Sequence, residues 1–239
     1  VLLVLLKILS LPVNQSIWGL LIVLFIAMVV VSQFMLTFGS DPNAKVTKKS
    51  KSPLSFHPIA LIFGLLSFVS YLVEGAVGDW SALYLFEDKG IVIEEAVMGV
   101  MLFNGTMCIG RLLGNRLGKH LTSKQVVVGG YLLGSIAMGL IVFLPGHASM
   151  YTYLLLGISL AMIVPNLFSA MGEQNVIPMT QAVATSTMLG YMGILMGPAL
   201  IGFIAHGTSL TVAFIVLTTL LVVSAGIGKY AYHLMSKDC

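Results

Sequence analysis

Charged side chains are scarce in this chain. Asp, Glu, Lys and Arg make up 9% of its 239 residues, whereas apolar residues make up 58%. Because a water-soluble domain carries roughly 25% charged residues, this composition excludes a soluble fold. The sequence also lacks the basic stripe that a nucleic-acid-binding face requires. The mean hydropathy of +1.01 instead indicates a protein whose solvent is the lipid bilayer.

Cysteines and catalytic motifs are scarce as well. Cys108 lies inside an apolar run and Cys239 is the last residue, so the two cysteines do not form a disulfide framework. The sequence contains no zinc-protease, serine-hydrolase, P-loop or dinucleotide-binding motif, and its five histidines lack the spacing of metal ligands. We therefore expect a protein that is not an enzyme and needs no metal or other cofactor.

Seven apolar runs are long enough to cross a membrane, since a spanning helix needs about 20 residues. The runs are continuous and do not alternate with polar residues, which predicts helices and not the strands of a barrel. The expected fold is thus an all-α membrane protein, a polytopic helical bundle. The runs are Trp18–Phe38, Pro58–Leu85, Ala96–Asn115, Lys124–Leu144, Met150–Met171, Gln181–Ala205 and Ser209–Tyr232.

Basic residues predict the orientation of these spans. With seven alternating crossings, three basic clusters fall on the same side of the membrane, which should be cytoplasmic. We predict that the Lys-rich loop and the C-terminus are cytoplasmic, and that Trp80 and Tyr84 lie at the outer interface. The clusters are Lys45, Lys48, Lys49 and Lys51; Arg111, Arg116, Lys119 and Lys124; and Lys229 and Lys237.

Glu74 is the most informative residue, because a carboxylate deep in an apolar span usually faces a bundle interior or a water-filled path. Tyr71, Glu74, Gly75 and Gly78 follow helical spacing and share one face. One hypothesis is that Glu74 binds a proton or a polar solute, with Tyr71 beside it. The other is that Glu74 is a structural carboxylate paired with a basic group elsewhere. Asp79 lies closer to the outer surface, in a solvated vestibule or at a helix end.

Two asparagines lie within the spans. Asn104 could line a cavity or pack against another helix, and Asn166 could bind a solute or join two helices. Pro165, just before Asn166, predicts a kink that frees backbone carbonyls toward a cavity.

Glycines recur at spacings that predict close helix packing. Gly110, Gly114 and Gly118 lie on one face of the third span, where Arg111 and Arg116 are expected at the cytoplasmic boundary. Glu173 ends the fifth span on the same side, so an ion pair with an arginine can form there. The sixth span has a second glycine set with a proline: Gly190, Gly193, Gly197, Pro198 and Gly202.

The segment RLLGNRLGK, Arg111–Lys119, resembles the second-half copy of the cytoplasmic loop signature Gly-x-x-x-Asp-Arg-x-Gly-Arg of the major facilitator superfamily. Arg116, Gly118 and Lys119 match the Arg, the Gly and the last basic position. Asn115 replaces the acid and Arg111 replaces the first glycine, which weakens any charge relay built on that acid. The segment EGAVGDWSALYL is similar to that of bacterial sugar-transporter-like branches, including the fucose-permease-like one.

The resemblance implies two six-helix halves joined by a basic cytoplasmic loop. Residues 1–38 would be the tail of helix five and helix six, residues 39–57 the linker, and residues 58–239 the C-terminal six-helix bundle. The substrate cavity of the superfamily lies between its halves. The chain would thus be a fragment that needs the N-terminal half of the same protein as its partner.

The resemblance also implies a secondary active transporter of a small solute, located in the bacterial inner membrane and driven by symport with an ion or proton. Arg116 would pair with Glu173. Two alternatives stay open: an exporter of drugs and other hydrophobic compounds, and a non-transporting sensor or assembly subunit. The solute- or proton-binding candidates are Glu74, Tyr71, Asn104, Asn166 and Asp79, and the cytoplasmic gate candidates are Arg111, Arg116 and Glu173.

Overall fold

The computed structural model describes residues 13–36, 57–117, 121–174 and 176–235. The chain divides into two units, residues 1–51 and 52–239. The first unit contributes helix α1, Val13–Leu36, and the second contributes eight helices. These are α2 Pro58–Glu87, α3 Ile93–Leu117, α4 Ser123–Phe143, α5 Gly146–Tyr151, α6 Tyr153–Ala161, α7 Ile163–Glu173, α8 Met179–Gly207 and α9 Leu210–Met235.

Six apolar helical segments in the described ranges are long enough to cross a membrane. Five are α2, α3 up to Gly114, α4, α8 and α9, and the sixth joins α5, α6 and α7 over Gly146–Glu173. The predicted all-α membrane bundle is confirmed. Helix α1 covers most of the first predicted span. The predicted helix-five tail at residues 1–11 and the linker at residues 39–56 lie outside the described residues.

The span that contains Pro165 is interrupted, as the sequence predicts. Helix α6 ends at Ala161 and α7 begins at Ile163, with Met162 between them at φ −102° and ψ −5°. Pro165 has no N–H for the carbonyl four residues earlier, at Ala161, and its ring would clash with that carbonyl in a regular helix. The Asn166 side-chain amide donates to the Met162 carbonyl over 2.8 Å, so the carbonyl at the break is already hydrogen-bonded within the helix.

Helix α2 packs most extensively against α8, and glycines permit their close approach. A Cβ at Gly197 would lie 2.6 Å from the Leu72 carbonyl oxygen, and a Cβ at Gly193 would clash with the Phe68 carbonyl oxygen. The predicted close packing along this glycine set is therefore present. It fixes the distance between two helices that both carry residues of the candidate site.

Replacing Gly193 by Ala should destabilise the bundle by about 1–3 kcal/mol, the usual cost of overpacking a well-filled interior. The new methyl group would meet backbone, which cannot rotate away as a side chain can. Gly226→Ala in α9 is the matched control, because a Cβ there has no atom within 4 Å. Thermal unfolding of the two variants in detergent measures the difference, and equal melting temperatures would contradict the close α2–α8 contact.

Helix α3 packs against α6 and the break through its own glycines. A Cβ at Gly110 would lie 2.6 Å from the Ala161 Cβ, and a Cβ at Gly114 would clash with the Met162 side chain. Close packing is thus present at these two positions, and Gly118 lies outside the described residues. Helices α3 and α6 form a second tightly packed pair beside α2 and α8.

Tyr84 lies one turn before the end of α2 but does not face outward from the bundle, and its place at the outer interface stays a prediction. Its side chain is fully buried and stacks on Phe214, with ring centroids 4.3 Å apart and an interplanar angle of 15°. Trp80 is partly exposed, and its indole Nε1 donates to the Pro198 carbonyl over 2.9 Å. The α2 helix turns Tyr84 toward α9, so this ring belongs to the core between helices.

Candidate functional site

Helix α2 is central in its unit, and half of its 30 residues are buried. A patch of more accessible residues nevertheless lies on one face of its middle turns. We call this patch the open stripe of α2. It contains the exposed Gly78 and the half-buried residues Tyr71, Glu74 and Gly75.

Glu74 forms an ion pair with Arg111 of α3. The Arg111 Nη2 atom lies 3.2 Å from Oε2 and 3.4 Å from Oε1 of Glu74, so one guanidinium nitrogen contacts both carboxylate oxygens. The Glu74 side chain is 23% exposed and the Arg111 side chain 45% exposed. At 1.5 Å per residue, Glu74 lies about 24 Å from the start of α2 and about 20 Å from its end. The pair is therefore near the middle of the span.

Two tyrosines lie beside this pair. The rings of Tyr71 in α2 and Tyr191 in α8 are nearly parallel, with an interplanar angle of 5° and centroids 6.1 Å apart. Gly190 makes room for the first ring, since a Cβ there would come within 2.7 Å of it. Tyr71 also interacts electrostatically with Glu74 and Arg111. Three helices thus bring an acid, a base and two aromatic rings together.

Arg111 is also a candidate for a cytoplasmic gate with Glu173, and that role stays a prediction. Helix α3 continues to Leu117, so Arg111 lies about 9 Å before the helix end. Its long side chain extends across to α2 and pairs there with Glu74. Between the alternatives left open for Glu74, the structure thus provides the basic partner, and it does so on the accessible stripe of α2.

The other predicted site residues of α2 and α3 do not contact the pair directly. Asn104 is exposed two turns before Arg111, on the same face of α3, and its amide donates to the Val100 carbonyl over 2.9 Å. Asp79 is exposed just over one turn beyond Glu74. Both remain candidates for the wall of a cavity on this side.

The remaining candidates lie elsewhere in the bundle. Asn166 is half-buried and bonded to its own helix at the break. Glu173 is exposed at the end of α7 and interacts electrostatically with Tyr232. The side chain of Arg116 lies outside the described residues, so its pairing with Glu173 stays a prediction.

Tyr191 was missed in the sequence, although a signal was present. It directly follows Gly190 in the glycine set of the sixth predicted span. A residue beside a close-packing glycine lies at the edge of the helix contact, where a ring can reach a neighbour on the partner helix. The sequence does not identify that partner, which here carries Tyr71.

The C-terminal ends of α2 and α8 and the N-terminal end of α9 border an open cavity of about 550 Å³. Its lining includes Trp80, Glu87, Asp88 and His206. The Thr211 hydroxyl donates to Asp88 over 2.9 Å and so connects the end of α2 to α9. Within the described residues, no group of three or more His, Cys, Asp or Glu side chains is placed to hold a metal ion.

No family model matches the chain. Among curated proteins, it is 42% identical over 157 residues to an uncharacterized MFS-type transporter of Yersinia pestis, covering 64% of this chain and 40% of the relative. It is 30% identical over 170 residues to the membrane protein MosC of Rhizobium meliloti, covering 70% of this chain and 42% of the relative. The chain thus spans about two fifths of the length of these relatives.

Solved structures show the same fold. The chain matches FucP, a major facilitator superfamily transporter in the outward conformation, with a TM-score of 0.72 and 14% identity over 91% of this chain and 55% of that one. It also matches the E. coli fucose:proton symporter FucP with a TM-score of 0.64 and 16% identity, over 72% of this chain and 42% of that one. In sequence the chain is therefore similar to an MFS-type transporter, and in fold it matches about half of a major facilitator superfamily transporter, as the resemblance of the Arg111–Lys119 segment predicts.

Proposed function

We propose that the complete protein containing this chain is a secondary active transporter that moves a small polar solute by alternating access, coupled to a proton gradient. The observation that supports this most is the Glu74–Arg111 pair, which lies near the middle of the span on its accessible side. Ionisable residues at membrane depth are costly and usually mark solute paths or proton relays. The N-terminal half would close the cavity over this face.

Glu74 is the proposed proton carrier, and Arg111 is its partner when it is ionised. Tyr71, Tyr191 and Asn104 are the proposed cavity wall, with Asp79 toward the outer side. One of the solved structures with this fold is a fucose:proton symporter, which supports proton coupling as the form of energy supply here. We place the protein in the bacterial inner membrane, with Arg116 and Glu173 at a cytoplasmic gate.

The composition of the open face favours a polar solute over the alternatives. An exporter of hydrophobic compounds would need a cavity wall dominated by apolar and aromatic side chains, whereas here an ion pair lies at its centre. A sensor or assembly subunit would need a segment that binds a partner outside the membrane. Such a role does not account for two opposite charges in the middle of the span.

Uptake into proteoliposomes tests the proposal. The complete protein would be reconstituted and offered neutral sugars and sugar acids, with and without an inward proton gradient. We expect at least one solute to accumulate above its external concentration and to be lost when a protonophore is added. Solutes that enter equally with and without the gradient would contradict proton coupling, and background uptake of every solute would contradict transport.

Cysteine labelling tests the proposed orientation. In a Cys108→Ser, Cys239→Ser background, a membrane-impermeant reagent applied to intact cells should modify Val92→Cys and spare Lys48→Cys. Val92 is 56% exposed in the loop after α2, whereas the neighbouring Gly90 has a positive φ that a cysteine would rarely adopt. Permeabilised cells provide the control, because both positions should then react. Modification of position 48 in intact cells would reverse the topology.

A further inference from the structure

We infer that the solute carries a carboxylate, which replaces Glu74 on Arg111 when it binds. This inference rests on the proposed function and names the class of solute. It is carried by the geometry of the ion pair, by the different proton chemistry of its two members, and by the tyrosines beside it.

Arg111 has capacity for a second carboxylate. A guanidinium group has five N–H donors in a planar fork, and the contacts to Glu74 use Nη2 alone. Among the described residues, the Arg111 side chain hydrogen-bonds to Glu74 alone. It is 45% exposed, so its other N–H donors are accessible. A carboxylate binds a guanidinium most strongly through two parallel hydrogen bonds. A solute carboxylate can form both hydrogen bonds, whereas Glu74 contacts only one guanidinium nitrogen.

The chemistry of the pair favours an anionic solute over a cationic one. A cation that displaced Arg111 from Glu74 would leave a guanidinium without a counter-charge at membrane depth, and guanidinium cannot lose its proton in a protein. An anion that displaced Glu74 would leave a carboxylate instead. That carboxylate can take up a proton from water in the cavity and become neutral. An anionic solute thus leaves no uncompensated charge, and its binding is linked to the uptake of one proton.

The tyrosines define the rest of the solute. Tyr191 is 60% exposed, and the Tyr71–Tyr191 stack lies beside the ion pair. Ligand sites combine aromatic walls with a few polar groups that fix orientation. A compact carbon skeleton can pack against the rings while its carboxylate contacts Arg111. A sugar acid or a similar hydroxy acid has both parts.

Matched acid and neutral probes test the inference by binding. The melting temperature of the complete protein in detergent would be measured with each acid and with its neutral partner, at constant ionic strength. The acid and neutral pairs are D-glucuronate and D-glucose, D-galacturonate and D-galactose, and D-gluconate and D-glucitol. A ligand that binds the native state raises the melting temperature. We expect at least one acid to raise it and its neutral partner to have no effect.

Two variants link the effect to the ion pair. Glu74→Gln removes the competing carboxylate, so the acid concentration that gives the half-maximal shift should fall by about tenfold. In the double variant Glu74→Gln, Arg111→Gln, two neutral side chains can hydrogen-bond to each other, so the protein should remain folded. Because the guanidinium is absent, acids should no longer raise its melting temperature. A purely structural ion pair would not make the single variant bind acids more tightly.

Several results would overturn the inference. These are equal shifts by acids and their neutral partners, no shift by any of the three acids, no gain in Glu74→Gln, or a shift that persists in the double variant. The proposed function fails separately. If acids bind through Arg111 but no solute accumulates in proteoliposomes, transport fails and the inference stands. If a neutral sugar accumulates with the proton gradient and acids are excluded, transport stands and the inference fails.

Discussion

Arg111→Gln should lower the free energy of unfolding by about 1–3 kcal/mol, because it leaves the Glu74 carboxylate without its partner in the middle of a span. Removing one member of a fully buried pair costs about 3–5 kcal/mol, and an exposed pair is worth about 0–1 kcal/mol. The pair here is between these limits, since its side chains are 45% and 23% exposed.

A double-mutant cycle measures this coupling. Glu74→Gln added to Arg111→Gln should recover most of the lost stability, because both charges are then removed together. The control is Glu95→Gln, which removes an ion pair with His147 whose side chains are 53% and 58% exposed. That change should alter stability by less than about 1 kcal/mol. Additive effects of the two changes at Glu74 and Arg111 would show that the pair contributes nothing.

Glu74→Gln should abolish gradient-driven accumulation in proteoliposomes while largely sparing solute exchange. Glutamine keeps the shape and hydrogen-bonding reach of glutamate but cannot carry a proton across the cycle. Exchange needs the site to open on both sides with solute bound, which this change does not prevent. The measurement compares uptake driven by a proton gradient with counterflow between equal solute concentrations.

Asp79→Asn is the matched control, since it makes the same chemical change at an exposed position of the same helix. Its effect on accumulation should be much smaller. Accumulation by Glu74→Gln at the wild-type rate would mean that Glu74 carries no proton. Failure of the variant to reach the membrane would assign Glu74 a structural role.

Much of the fold could be predicted from the sequence because each membrane helix is formed by one continuous apolar run, whose length sets the length of the helix. Each apolar run from Pro58 onward corresponds to one membrane-length segment, with ends within a few residues of those expected. Pro165 predicts the break at Met162 because its effect on backbone hydrogen bonding is confined to one turn. Glycines such as Gly193 predict close packing, since they remove the side chains that keep helices apart.

The partners within the site could be predicted less well, because they depend on how helices rotate against each other. Glu74 is evident as a charge in an apolar run, but its contact with Arg111 joins residues 37 positions apart on different helices. Hydropathy places an arginine near a span end at the boundary, whereas its side-chain length allows it to reach inward. Tyr84 shows the same limit, since its burial against Phe214 is set by the rotation of α2.

The two sets of glycine contacts give the ion pair a mechanical consequence. Backbone contact at Gly193 and Gly197 joins α2 to α8, and Gly110 and Gly114 join α3 to α6 and the Met162 break. Each helix pair should therefore move as one rigid unit, and the Glu74–Arg111 ion pair links the two units. Under the proposed function, a solute that draws Arg111 away from Glu74 would remove this link and allow the two units to change their angle. Solute binding at one site would thereby tilt helices that span the bilayer.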